Sequence, residues 1–117
     1  MFHSLRRALR IATGSRYIDV VEESPDHLVL RALGCTTSLN KTSGQLIQNG
    51  KRPVSMSVIK DVHLSQPSNP DGPPNWCVAI RLQGGYRIEV GSVTDTTDAS
   101  LVASKLSSLV GKPVRLK

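Results

Sequence analysis

Residues 76–113 read WCVAIRLQGGYRIEVGSVTDTTDASLVASKLSSLVGKP, and this stretch decides the fold. Trp76, Val78, Ile80 and Leu82 alternate with Cys77, Ala79 and Arg81. After Gly84-Gly85 the series resumes as Tyr86, Ile88 and Val90 against Arg87 and Glu89. Period-two alternation on both sides of a glycine pair predicts an antiparallel hairpin with a two-residue turn. Because a strand and not a helix follows the glycines, they do not form a phosphate-cradling loop. The period then changes. Ala99, Val102, Ala103, Leu106, Leu109 and Val110 recur at three- and four-residue steps, which predicts a helix over 96–110 with one apolar stripe. Asp95 or Thr96 supplies its N-cap, and Asp95 and Asp98 suit the positive end of its dipole. Gly111 is placed for a left-handed C-cap, and Pro113 prevents continuation.

Upstream of this stretch the patterns are those of short strands. Tyr17 to Glu22 and His27 to Leu33 are β-type runs, with Glu23-Ser24-Pro25-Asp26 as the turn between them and Gly34 closing the second. Thr36 to Leu39 is a weak strand, Asn40 to Gly44 a turn and Gln45 to Gln48 another short strand. Asn49-Gly50 signals a tight hairpin, because both central residues accept positive φ. Val54, Met56 and Val58 alternate with Ser55 and Ser57 as a half-buried strand. The parity slips at Ile59-Lys60, which is consistent with a bend or bulge there before Val62 and Leu64 resume the apolar series. Four of the seven prolines fall in Gln66 to Asn75, so this stretch reads as an exposed connector loop.

The 117 residues carry 38% hydrophobic and 21% charged side chains, the balance of one folded domain and not of a disordered tail. Phe2, Tyr17, Trp76 and Tyr86 are the only aromatics, so the core is aliphatic and base-stacking platforms for single-stranded nucleic acid are excluded. No apolar run is long enough to span a bilayer. The net charge of +6 resides at the two ends: Arg6, Arg7, Arg10 and Arg16 at the start, Lys112, Arg115 and Lys117 at the finish, none with an acidic neighbour. Between them stand eight basic and nine acidic residues, so the body of the chain is close to neutral. A nucleic-acid-binding domain concentrates its cations on a folded face, which argues against nucleic acid as the partner.

Cys35 and Cys77 have no companion at metal-ligand spacing, and His3, His27 and His63 are equally isolated. No metal site and no cofactor site is expected. The two thiols read as half-buried residues, Cys77 on a strand, since a disulfide between them would require an oxidising compartment. Asp19, Glu22, Glu23, Asp26 and His27 form the densest ionisable cluster, better explained as a solvated turn than as a catalytic group.

The first residues are amphipathic. Phe2, Leu5, Leu9 and Ala12 fall at helical spacing with Arg6, Arg7 and Arg10 on the other side. This predicts a basic helix over 1–13, preceding a single domain over 16–117. The stripe is too short and too charged for a secretory signal. Packing on the domain is the first reading. The alternative is contact with a membrane surface or a partner through Phe2, Leu5, Arg6, Arg7, Leu9 and Arg10.

Short strands, a proline-rich loop, a tight hairpin and a closing helix occur here in an order that resembles the small bacterial domains with a pleckstrin-homology-like fold. Three stretches carry the likeness: Leu39 to Leu46 as a strand-turn-strand unit, Val54 to Val62 as a strand ending in an isoleucine-x-x-valine step, and Trp76 to Val110 as the last hairpin and helix. The resemblance implies an α+β, mostly β, architecture: a split barrel of antiparallel strands closed by one C-terminal amphipathic helix. Lipid-binding members of that family resemble one another in a basic loop between their first two strands. Here that loop is Glu22-Glu23-Ser24-Pro25-Asp26, whose carboxylates repel an inositol phosphate, so headgroup sites are not carried over.

Three functions compete. A non-catalytic module that presents a sheet edge or loop to a protein partner asks nothing of the sequence beyond its fold, and leads. A peripheral membrane protein held by the basic start comes second. An enzyme ranks last, since no motif brings together a nucleophile or an acid–base pair. A cytoplasmic location is expected, with membrane association as the alternative, and a homo-oligomer is compatible with the first reading.

Overall fold

Alternating apolar side chains give the chain one buried and one exposed strand face, and the strands that result fall into two sheets. The computed structural model describes residues 18–32, 34–66 and 75–116. The first sheet has five strands, all antiparallel, in the order β1-β2-β3-β4-β5: β1 (Asp19–Ser24), β2 (His27–Ala32), β3 (Cys35–Asn40), β4 (Gln45–Gln48) and β5 (Val54–Ser55). The second has four, in the order β8-β7-β6-β9: β6 (Ile59–Ser65), β7 (Trp76–Leu82), β8 (Arg87–Val93) and β9 (Val114–Leu116). One helix, α1 (Thr96–Val110), lies between β8 and β9 in the chain. The protein is therefore an α+β fold, mostly β, of two sheets with one C-terminal helix. Among the described residues no ladder joins the two sheets into a closed barrel. The expected helix over 1–13 and residues 67–74 of the proline-rich loop lie outside the described residues.

The helix follows its sequence signals closely. Asp95 caps it by accepting a hydrogen bond from the Thr97 N–H at 2.9 Å, and Gly111 ends it at φ 69. Ala99, Val102, Ala103, Leu106 and Leu109 are buried. They meet Leu28, Leu30, Leu39 and Leu46 of the first sheet and Ile59, Val62, Val78 and Ile80 of the second in one aliphatic core. Burying each large side chain contributes about 1.5–3 kcal/mol, so the helix is a structural lid over both sheets.

Several local details differ from the sequence reading, the first turn among them: Glu23 and Ser24 belong to β1, so only Pro25-Asp26 turn. Met56–Val58 is a 3-10 turn and not the continuation of a strand, because the Ser55 hydroxyl accepts from the Ser57 N–H and turns the chain from one sheet to the other. The bulge follows at Ile59/Asp61, in keeping with the parity slip. At Asn49-Gly50 both residues do take positive φ, and Lys51 N–H donates to the Gln48 carbonyl at 2.9 Å. The ladder nevertheless resumes only at Leu46↔Val54, one residue out of step with that turn, because Pro53 has no N–H to donate. The last hairpin closes with three residues and not two: Leu82 N–H donates to the Tyr86 carbonyl at 2.7 Å across Gln83-Gly84-Gly85. Finally, β9 pairs in parallel with β6, Val62 facing Val114, an element that the pattern gave no sign of.

Where the sheets touch, the spacing is set by a missing side chain. A Cβ added at Gly91 of β8 would lie 2.6 Å from the Ala32 Cβ of β2 and 3.1 Å from Ile18 Cγ1. Gly91→Ala should therefore cost about 1–3 kcal/mol, and the double change with Ala32→Gly should recover part of that loss in urea denaturation. Equal destabilisation by the single and double variants would mean that this contact does not set the spacing. Leu106 is fully buried, so Leu106→Asp places an unpaired charge among both sheets and should abolish the cooperative melt.

Candidate functional site

The close contact at Gly91 lies in the second half of β8, and Arg87–Glu89 form its start. A cleft of about 380 Å³ opens there, between the β4–β5 connection and the start of β8. Leu46, Val54 and Ile88 make its apolar lining, and Lys51, Arg52 and Arg87 stand at its rim. Glu89 is the one carboxylate on the wall, and it is paired with Arg87 at 3.1 Å. Neither Lys51 nor Arg52 has an ion-pair partner among the described residues. The Gln48 side chain spans the cleft floor, donating through Nε2 to Thr37 Oγ1 at 3.1 Å and to the Glu89 carbonyl at 2.6 Å. It is the only side-chain hydrogen bond between the two sheets at this end among the described residues.

The β8 backbone is part of the same feature. Among the described residues β8 pairs with β7 alone and is thus an edge strand of the second sheet. Tyr86 points its carbonyl to Leu82, so by alternation Ile88 also faces β7, opposite Ile80. Arg87 and Glu89 then turn their backbone groups to the free edge, which is why the Glu89 carbonyl is within reach of Gln48. On the opposite wall β5 is the edge of the first sheet and only two residues long. Among the described residues the edges of β5 and β8 are unpaired, and both strands contribute to the walls of the cleft, over its apolar floor.

A larger groove of about 650 Å³ lies between the β1–β2 turn and α1, lined by Glu23, Pro25, Leu28, Leu101, Lys105 and Leu109. Its charges already satisfy each other: Lys105 Nζ donates to both oxygens of Glu23, at 2.8 and 2.9 Å. That leaves it no unmatched charge with which to select a ligand, and the smaller cleft is the stronger candidate.

The acidic cluster is used in the same structural way. Glu22 contacts His27 Nδ1 at 3.2 Å, and His27 Nε2 shares a hydrogen bond with Ser38 Oγ at 3.1 Å. Cys35 and Cys77 are both free and half-buried. No group of three or more metal-ligating side chains assembles among the described residues, and no helix among them is long and apolar enough to cross a membrane. Phe2, Leu5, Arg6, Arg7, Leu9 and Arg10, the contact residues expected from the sequence, lie outside the described residues. The chain matches no protein-family model and no curated protein.

One ion pair was not foreseen. Arg81 Nε and Nη2 each donate to a different oxygen of Asp61, both at 2.7 Å, and Arg115 Nε stands 4.0 Å away. The Asp61 side chain is only 3% exposed. The Arg81 hydrogen bonds, opposed by burial, hold its carboxyl below the usual carboxylate range. A carboxyl with a lowered native pKa contributes stability that is present above the unfolded-state value and lost as pH falls through the native one. In denaturant titrations between about pH 5 and pH 2, Asp61→Asn should therefore lose stability less steeply than the wild type. Parallel curves would show that the pair does not contribute to acid unfolding.

Proposed function

We propose that this chain is a non-catalytic interaction module with a pleckstrin-homology-like split-barrel fold, and that it docks a protein partner in the cleft between its two sheets. The observation that carries the reading is a cleft lined by Leu46, Val54 and Ile88 whose walls include two strands, β5 and β8, that are edges among the described residues. Backbone edges of this kind are templates for another chain, and native proteins normally blunt or cover them. The split-barrel reading is supported by the order of elements: a meander of strands, a 3-10 corner at Met56–Val58, a second meander and a helix packed on both sheets. The non-catalytic reading is supported by the placement of the ionisable groups, since Glu22, Glu23, His27, Asp61 and Arg81 are each engaged in a structural pair.

The test compares proteins captured by the wild-type chain with those captured by two charge-reversed variants, Arg87→Glu at the cleft and Arg31→Glu away from it. Captures that survive Arg31→Glu and are lost with Arg87→Glu are expected. An identical set from all three proteins would overturn the cleft as the docking site.

A further inference from the structure

Resting on that reading, we infer that the occupant of the cleft is an extended, acidic segment of a partner protein, which adds as a strand to β8. Three observations on the same few residues specify it. First, the hairpin alternation turns the Arg87 and Glu89 backbone towards the cleft, so hydrogen bonding there requires an extended chain running beside β8. Second, successive side chains of β8 differ at this point: Ile88 joins Leu46 and Val54 on the apolar floor, while Arg87, next to it in the strand alternation, is exposed at the rim. A strand lying beside β8 continues this alternation, placing every second side chain on the floor and the others beside Arg87. Third, with Glu89, the single carboxylate, paired to Arg87, Lys51 and Arg52 remain without an ion-pair partner among the described residues.

The complementary sequence therefore alternates aliphatic with acidic residues. Its aliphatic side chains cover Leu46, Val54 and Ile88, and its carboxylates meet Lys51 and Arg52 and compete with Glu89 for Arg87. Glutamate is the better acid, because its longer stem reaches the loop cations from the outer face. Gln48 sets the boundary: its side chain already occupies the Glu89 carbonyl, so an incoming strand either bonds to Arg87 and the Glu89 N–H alone or displaces Gln48.

The probe is a fluorescein-labelled octapeptide of alternating glutamate and valine, titrated into the full chain. Saturable binding that weakens with salt is expected, accompanied by shifts of the Arg87 and Glu89 amide resonances and slowed exchange of those amides. Arg87→Glu and the loop variant Lys51→Glu should each weaken binding by about tenfold, with melting temperatures showing that both variants fold. A peptide N-methylated at every residue, which has no N–H to pair along either edge, should not bind.

Equal binding of the N-methylated peptide would overturn strand addition, and equal binding of a lysine–valine peptide would overturn the acidic preference. Binding to phosphatidylserine vesicles in place of the peptide would assign the cleft to a membrane surface. Concentration-dependent self-association abolished by Arg87→Glu would assign it to a second copy of this chain. Should cleft-dependent captures persist while the peptide fails to bind, the docking site stands and the acidic strand falls. Peptide binding with no cleft-dependent capture would instead refute the site's use by a partner.

Discussion

The contact between Gly91 and Ala32 governs how the two sheets lie on each other. With no Cβ on Gly91, the backbone of β8 settles against β2 and Ile18, closer than any side chain would permit. Sheets twist, so two sheets held together at one point separate as they leave it. A few residues along the same strand a cleft lies beside Arg87–Glu89, with Ile88 packed on the core at its floor. Gln48 spans the gap with a single amide. Tight packing in the second half of β8 and an open edge at its start are thus two results of one constraint, and the helix fills only the interior between them.

Elements with redundant signals were legible in the sequence. The helix had a stripe, an N-cap, a glycine stop and a proline, all agreeing. β6, β7 and β8 had alternation long enough to outlast a bulge. The errors arose where a local rule was satisfied by more than one geometry. Val54, Met56 and Val58 alternate as a strand does, but two serines able to bond nearby backbone groups favour a turn at the same place. Asn49-Gly50 specified its own turn correctly, yet Pro53, three residues on, decided the register. β9 is three residues long, too short for any period to be seen, and its pairing depends on β6, which is distant in sequence.

The candidate site was illegible for a different reason. Lys51 and Arg52 lie in one connection and Arg87 in a hairpin of the other sheet, so no spacing rule joins them. Counting charges along the chain found a neutral body between two basic ends. In space that body is polarised. Asp19, Glu22 and Glu23 lie on β1, at one edge of the first sheet, while Lys51 and Arg52 lead into β5 at the other. Neutrality in the count concealed a dipole across the sheet.

The parallel ladder between β6 and β9 sets an order of events in folding. Val62 N–H reaches back to the Pro113 carbonyl at 3.0 Å, and the strand it joins is separated from β6 by the proline-rich loop, the β7–β8 hairpin and all of α1. Closing so long a loop for three residues of pairing returns too little to be an early step. The intervening hairpin and helix must first shorten the path by folding. β9 thus acts as a latch that closes only on an assembled second sheet, and it is the first ladder that a local opening would release.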